Sequence, residues 1–168
     1  TKKGLNIIDY SSGTVRYLIT GDLMKDNIRR VSSLGNNDIF FATDNGLFLY
    51  DSARQTLTSY DFPQSTNYFY PMEAVRNHDD EVFVNTISGL IRLNIRNGSY
   101  HRFAAKQNLP SSLIWNMKRA STGDTWLGTD SGLAQMSADR TRVRTYRKQH
   151  GLLSDIVYRV VEMPDGKI

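Results

Sequence analysis

The sequence has no cysteine. That excludes disulfides, thiolate metal sites and a cysteine nucleophile, while identifying no compartment. No apolar run reaches the length of a membrane span, and no secretory leader is recognisable. Helical periodicity is missing over any useful length. The histidines are His78, His101 and His150, and none has a partner at the i, i+4 zinc spacing. His78 beside Asp79, Asp80 and Glu81 reads as a polar turn rather than a metal site. Neither a G-x-S-x-G elbow nor a phosphate-binding loop occurs. Acidic side chains are scattered over turns instead of converging, so catalysis, a metal and a cofactor all lack support. The net charge is only +4, from 21 basic and 17 acidic residues. It mildly favours acidic partners and is too small to indicate nucleic acid. With 39% apolar residues, the chain has the material for a packed core and is not disordered.

What is present is a repeat. Thr129-Asp130-Ser131-Gly132-Leu133 returns as Thr86-Ile87-Ser88-Gly89-Leu90, as Thr43-Asp44-Asn45-Gly46-Leu47 and as Thr1-Lys2-Lys3-Gly4-Leu5. Successive copies are 43, 43 and 42 residues apart. The register extends well beyond this pentad. Tyr17, Tyr60, Phe103 and Tyr146 share one position, and Phe40, Phe83 and Trp126 share another. Asp38, Glu81 and Asp124 share a third. Self-similarity at this period is the signature of a propeller, a solenoid or an array.

Each repeat divides into four short runs separated by turn chemistry. In the third they are Leu113–Lys118, Thr125–Thr129, Leu133–Ser137 and Arg142–Arg147. In the second they are Pro71–Val75, Glu81–Thr86, Leu90–Asn94 and Ser99–Phe103, and in the first Ile28–Val31, Asp38–Thr43, Leu47–Asp51 and Leu57–Tyr60. Runs of this length, rich in β-branched and aromatic residues and bounded by Gly, Asn, Asp and Ser, read as strands. Four strands per 43 residues describe a propeller blade, whereas a β-solenoid coil is normally shorter. The expected fold is therefore all-β, a β-propeller segment of about four blades of four antiparallel strands. Residues 1–20 supply the outer strands of one blade, 21–63, 64–106 and 107–149 supply three whole blades, and 150–168 supply the inner strand of the next. This phase reads as an arc of a larger ring or a four-bladed closure, cut from a longer protein.

The motif Gln107-Asn108-Leu109-Pro110-Ser111, followed by Gly123-Asp124-Thr125-Trp126-Leu127-Gly128-Thr129-Asp130-Ser131-Gly132-Leu133, closely resembles the two-component regulator propeller repeat. His150-Gly151-Leu152-Leu153-Ser154 opens a further copy. The first two repeats depart from the pattern, with Ala42 and Asn85 for the motif glycine and Phe40 and Phe83 for its tryptophan. The resemblance implies a periplasmic sensor propeller of a membrane-anchored receptor from a Bacteroidetes-type hybrid two-component system. It implies a histidine kinase outside this segment, no catalysis within it, and an oligosaccharide signal. A WD repeat fits less well because the Trp-Asp ending is missing, and a Kelch repeat because the double glycine is.

Function in a propeller is expected in loops and at the channel mouth, since the repeat residues serve packing. The variable positions 29, 72, 115 and 158 hold Arg, Met, Trp and Tyr. Arg29, Tyr70, Trp115, Tyr158 and Arg159 are the candidate ligand-binding residues. An aromatic plate beside arginines suits a sugar ring carrying a carboxylate or sulfate. The same side chains would equally serve blade packing, or an interaction platform for a protein partner. Arg140, Arg142 and Arg144 alternate along the last run and read as a charged outer edge that prevents sheet association. Nucleic acid is not an expected partner, contact with the membrane runs only through the parent chain, and exposed blade edges leave a homodimer open.

Overall fold

The computed structural model describes residues 5–18, 27–35, 38–43, 46–60, 71–78, 80–86, 89–103 and 109–168. Its strands are β1 (Leu5–Ile8), β2 (Val15–Leu18), β3 (Ile28–Gly35), β4 (Asp38–Thr43), β5 (Leu47–Asp51), β6 (Thr56–Tyr60) and β7 (Pro71–His78). They continue as β8 (Glu81–Thr86), β9 (Gly89–Asn94), β10 (Tyr100–Phe103), β11 (Ile114–Arg119), β12 (Thr125–Thr129), β13 (Gly132–Met136) and β14 (Val143–Tyr146). Three antiparallel sheets follow chain order, β3 to β6, β7 to β10 and β11 to β14, and β1 pairs with β2. The chain is all-β, a β-propeller segment.

The T-x-x-G-L pentad builds the hairpin between the second and third strands of each blade. Thr129 Oγ1 donates to Gly132 O at 2.6 Å, Thr86 Oγ1 to Gly89 O at 2.9 Å and Thr43 Oγ1 to Gly46 O at 3.3 Å. These hydroxyls are buried, so the internal acceptor replaces water that cannot reach them. Gly132 has φ of +125°, and a Cβ there would lie 2.6 Å from Tyr146 O. Glycine is thus required twice, by its backbone conformation and by the close passage of the outer strand.

The second strands lie between neighbouring blades and are buried on both faces. Alternation along β4 points Phe41 one way, towards Leu5 and Ile7 of the β1–β2 hairpin. Phe40 and Ala42 point the other way and pack with Val82, Val84 and Ile91 of the second blade. Phe83, between those valines, faces the third blade and joins Ile114, Met117 and Leu127. Burial of each phenylalanine is worth about 2–3 kcal/mol. Their register mate Trp126 is only half-buried, stacked on Tyr146 at 5.7 Å.

The acids at the shared register position have three different partners. Asp38 pairs with Arg76 of the next blade, and the Arg76 Nε also donates to Leu34 O at 2.8 Å. Glu81 pairs with Arg140 of the next blade and lies 3.7 Å from Arg92 of its own. Asp124 stays within its blade, accepting from Gln135 Nε2 at 2.7 Å and Ala138 N at 3.1 Å.

One expectation needs correction. Arg140 and Arg142 precede β14 rather than alternating along it, and Arg140 is a turn residue with φ of +64°. The turn aims Arg140 at Glu81, so it is a bond between blades, and Arg144 is the arginine that remains on the exposed edge. Residues 152–161 run alongside β11 and β12 without becoming a strand. Val157 N donates to Thr129 O and Val160 N to Asn116 Oδ1, both at 2.8 Å. Two isolated bonds are not a ladder, which needs partners along the whole strand. The following turn does form, with Met163 N donating to Lys167 O at 2.7 Å.

Candidate functional site

The inner strands β3, β7 and β11 lie side by side, and Arg159 reaches them from the stretch that follows the third blade. Between them is a cavity of about 550 Å³. Its walls include Arg30, Arg76, Trp115, Lys118, Arg119 and Arg159.

Each inner strand carries an irregularity at the same place. The ladder to the second strand slips between Ile28 and Arg30, between Pro71 and Glu73, and between Ile114 and Asn116. The residues skipped are Arg29, Met72 and Trp115. A β-bulge of this kind leaves one residue outside the pairing and re-aims its side chain. Positions 29, 72 and 115 vary among the repeats because the ladder makes no demand on them.

Trp115 is half-buried between Ile114 and Asn116, with its indole Nε1 enclosed and without a hydrogen-bond partner. Its ring meets that of Tyr158 at 5.5 Å between centroids, tilted by 54°. Tyr158 is 66% exposed, so this contact leaves most of it in solvent. Trp115 and Arg159 line the same cavity. Arg29 lies on β3, immediately before the cavity-lining Arg30, and its side chain is outside the described residues. Tyr70 is also outside them. The structure therefore brings Trp115, Tyr158 and Arg159 together and places Arg29 at the equivalent bulge two blades away.

Sequence reasoning missed Arg76, Lys118 and Arg119. A signal existed for two of them, because Arg76 and Arg119 are 43 residues apart, at one register position. Glu162, at that position in the next copy, accepts from Ser121 Oγ at 2.5 Å and Ser121 N at 2.9 Å. Those bonds hold its carboxyl below the ordinary range, so it stays ionised, 3.9 Å from Lys118. No group of three His, Asp or Glu among the described residues is arranged to hold a metal. Two histidines are engaged locally: His101 meets the edge of Phe103 at 5.0 Å, and His150 Nδ1 accepts from Arg147 N at 3.0 Å. No helix among the described residues is long and apolar enough to cross a membrane.

No family model matches the chain, and no curated protein does. Solved structures are similar. The extracellular domain of the protein assigned as the hybrid two-component system BT3049 of B. thetaiotaomicron matches with a TM-score of 0.72 at 18% identity, over 99% of this chain and 23% of that one. The extracellular domain of BT4673 from the same organism, assigned as a one-component system, matches with a TM-score of 0.75 at 18% identity, over 98% of this chain and 23% of that one. Apo AztD from Citrobacter koseri matches less closely, with a TM-score of 0.61 at 13% identity, over 86% of this chain and 42% of that one. The chain spans less than a quarter of the length of the two B. thetaiotaomicron domains. At these identities the likeness establishes architecture, and the chain is a β-propeller segment built like part of those extracellular domains.

Proposed function

We propose that the chain is a ligand-sensing propeller segment of a periplasmic, membrane-anchored two-component receptor that responds to an oligosaccharide and acts on a histidine kinase elsewhere in the parent protein. The observation that carries this reading is the row of bulges at 29, 72 and 115. The repeat is kept wherever it builds blades and relaxed at these bulges, one of which, at Trp115, lines the cavity. Trp115 there offers aromatic surface of the kind that stacks on a sugar ring. The likeness to extracellular domains assigned to two-component systems supports the same reading. Binding would act on the kinase only by favouring one of two receptor states.

A second reading, a protein-interaction platform, draws on a different surface. Tyr10, Tyr17 and Ile8 of the β1–β2 hairpin are 100%, 70% and 67% exposed. Thermal unfolding of the full-length protein against a panel of neutral and anionic oligosaccharides separates the two. A ligand at a hundred times its Kd stabilises the native state by about 2.7 kcal/mol. The sensor reading predicts a clear rise in Tm with at least one sugar and its loss in Trp115→Ala. A folded, monodisperse protein that responds to none of them contradicts it.

A further inference from the structure

The stretch 157–161 brings Tyr158 and Arg159 to Trp115 without belonging to a ladder. It is fastened to the third blade at two points. Val157 N donates to Thr129 O of β12 and Val160 N to Asn116 Oδ1 of β11, both at 2.8 Å. Tyr158 and Arg159 lie between the two fastenings and are exposed, whereas Val160 turns inward and is buried. Among the described residues, the backbone of 157–161 donates no other hydrogen bond.

The two side chains have no tie that would aim them independently. Among the described residues, neither the Tyr158 hydroxyl nor the Arg159 guanidinium has a hydrogen-bond partner. Tyr158 meets Trp115 ring to ring, at 5.5 Å between centroids. Their direction is therefore set by the backbone, and the backbone by its fastenings.

The fastenings differ in kind. The first runs from backbone to backbone. Gly128 admits it, since a Cβ there would lie 2.5 Å from Val157 O. The second depends on one side chain. Asn116 is buried and follows directly on the bulge that releases Trp115 from the ladder. Adjacent residues of β11 thus do two jobs: Trp115 meets the Tyr158 ring, and Asn116 holds the residue after Arg159. The register mates of Asn116 are Glu73 and Arg30, so the repeat does not prescribe a carboxamide here.

We propose that Asn116 is a positioning residue of the ligand surface: its carboxamide oxygen holds Val160 N and so sets Tyr158 and Arg159 beside Trp115, where they contact the saccharide. This rests on the oligosaccharide-sensing reading and adds a residue that acts on that site through its neighbours.

Two measurements on the full-length protein test it. The first is hydrogen exchange without any saccharide. Asn116→Ala should speed exchange over 157–161 by about threefold or more, the usual worth of one hydrogen bond. Asn116→Asp keeps an acceptor for Val160 N and should restore the slower rate. The second is isothermal titration with cellotetraose, mannotetraose, a trigalacturonate and a chondroitin sulfate tetrasaccharide. Asn116→Ala should weaken the tightest of them roughly threefold to tenfold. The same substitution should cost less in Tyr158→Ala and in Arg159→Ala proteins, because residues that act through one another are not additive. Unchanged exchange over 157–161 in Asn116→Ala overturns the positioning. Faster exchange with unchanged saccharide affinity overturns its part in binding and leaves the sensor reading standing. An equal loss of affinity in both variant backgrounds shows that Asn116 does not act through Tyr158 and Arg159, and overturns the inference. No binding by any of the four saccharides overturns the oligosaccharide reading and this inference with it, even where exchange responds as expected.

Discussion

Asn85 shows how one residue sets the fit between blades. At its register position the third blade has Gly128, where a Cβ would lie 2.5 Å from Val157 O. Asn85 solves the same approach differently, donating Nδ2 to Ile114 O, the carbonyl 43 residues before Val157, at 2.9 Å. Its Oδ1 is buried without a partner. Asn85→Ala should cost about 1–2 kcal/mol in urea denaturation, and Asn85→Asp more, because a carboxylate would face a carbonyl in place of a donor. Gly132→Ala should cost about 2 kcal/mol or more by the same measurement, from positive φ and the contact with Tyr146 O. Tyr60 links stability to pH. Burial, with the Asp38 charge adding to it, pushes its hydroxyl from 10.0 up to about 12. The unfolded phenol ionises first, so the contribution is complete below pH 10 and is lost as pH rises towards 12. Tyr60→Phe should flatten the decline in urea midpoint over that window. It should also cost about 1 kcal/mol at neutral pH through loss of the bond to Ile95 O.

At the scale of elements, the strands were legible because each repeat states the same pattern independently. The runs Asp38–Thr43, Glu81–Thr86 and Thr125–Thr129 are β4, β8 and β12 without change. The bulges were not legible. A one-residue slip inside a strand leaves the 43-residue spacing intact, so the register that reveals the fold hides it. Position 29, 72 and 115 stood out only as variable, and the slip in the ladder supplies the physical reason. Arg140 was misread because alternation in the sequence does not show where a turn ends. Its two features oppose each other: a left-handed backbone costs about 1 kcal/mol, while the pair with Glu81 joins two blades. Arg140→Gln loses the pair and keeps the backbone cost, whereas Arg140→Gly loses both. The glycine variant should therefore be the more stable of the two by about 1 kcal/mol in chemical denaturation.

Across the whole molecule the division of labour is radial. Apolar residues join blade to blade, acids at the seams choose individual partners, and cations gather on the inner wall. A net charge of +4 conceals that distribution, since the total says nothing about where the charges lie. The central claim is that the inner wall is the ligand surface. Hydrogen exchange of the full-length protein, with and without the tightest-binding oligosaccharide, tests it most directly. Slower exchange concentrated in 28–35, 114–119 and 156–162 is the predicted result. Slowing confined to the outer strands β6, β10 and β14, with the inner strands unchanged, would contradict it.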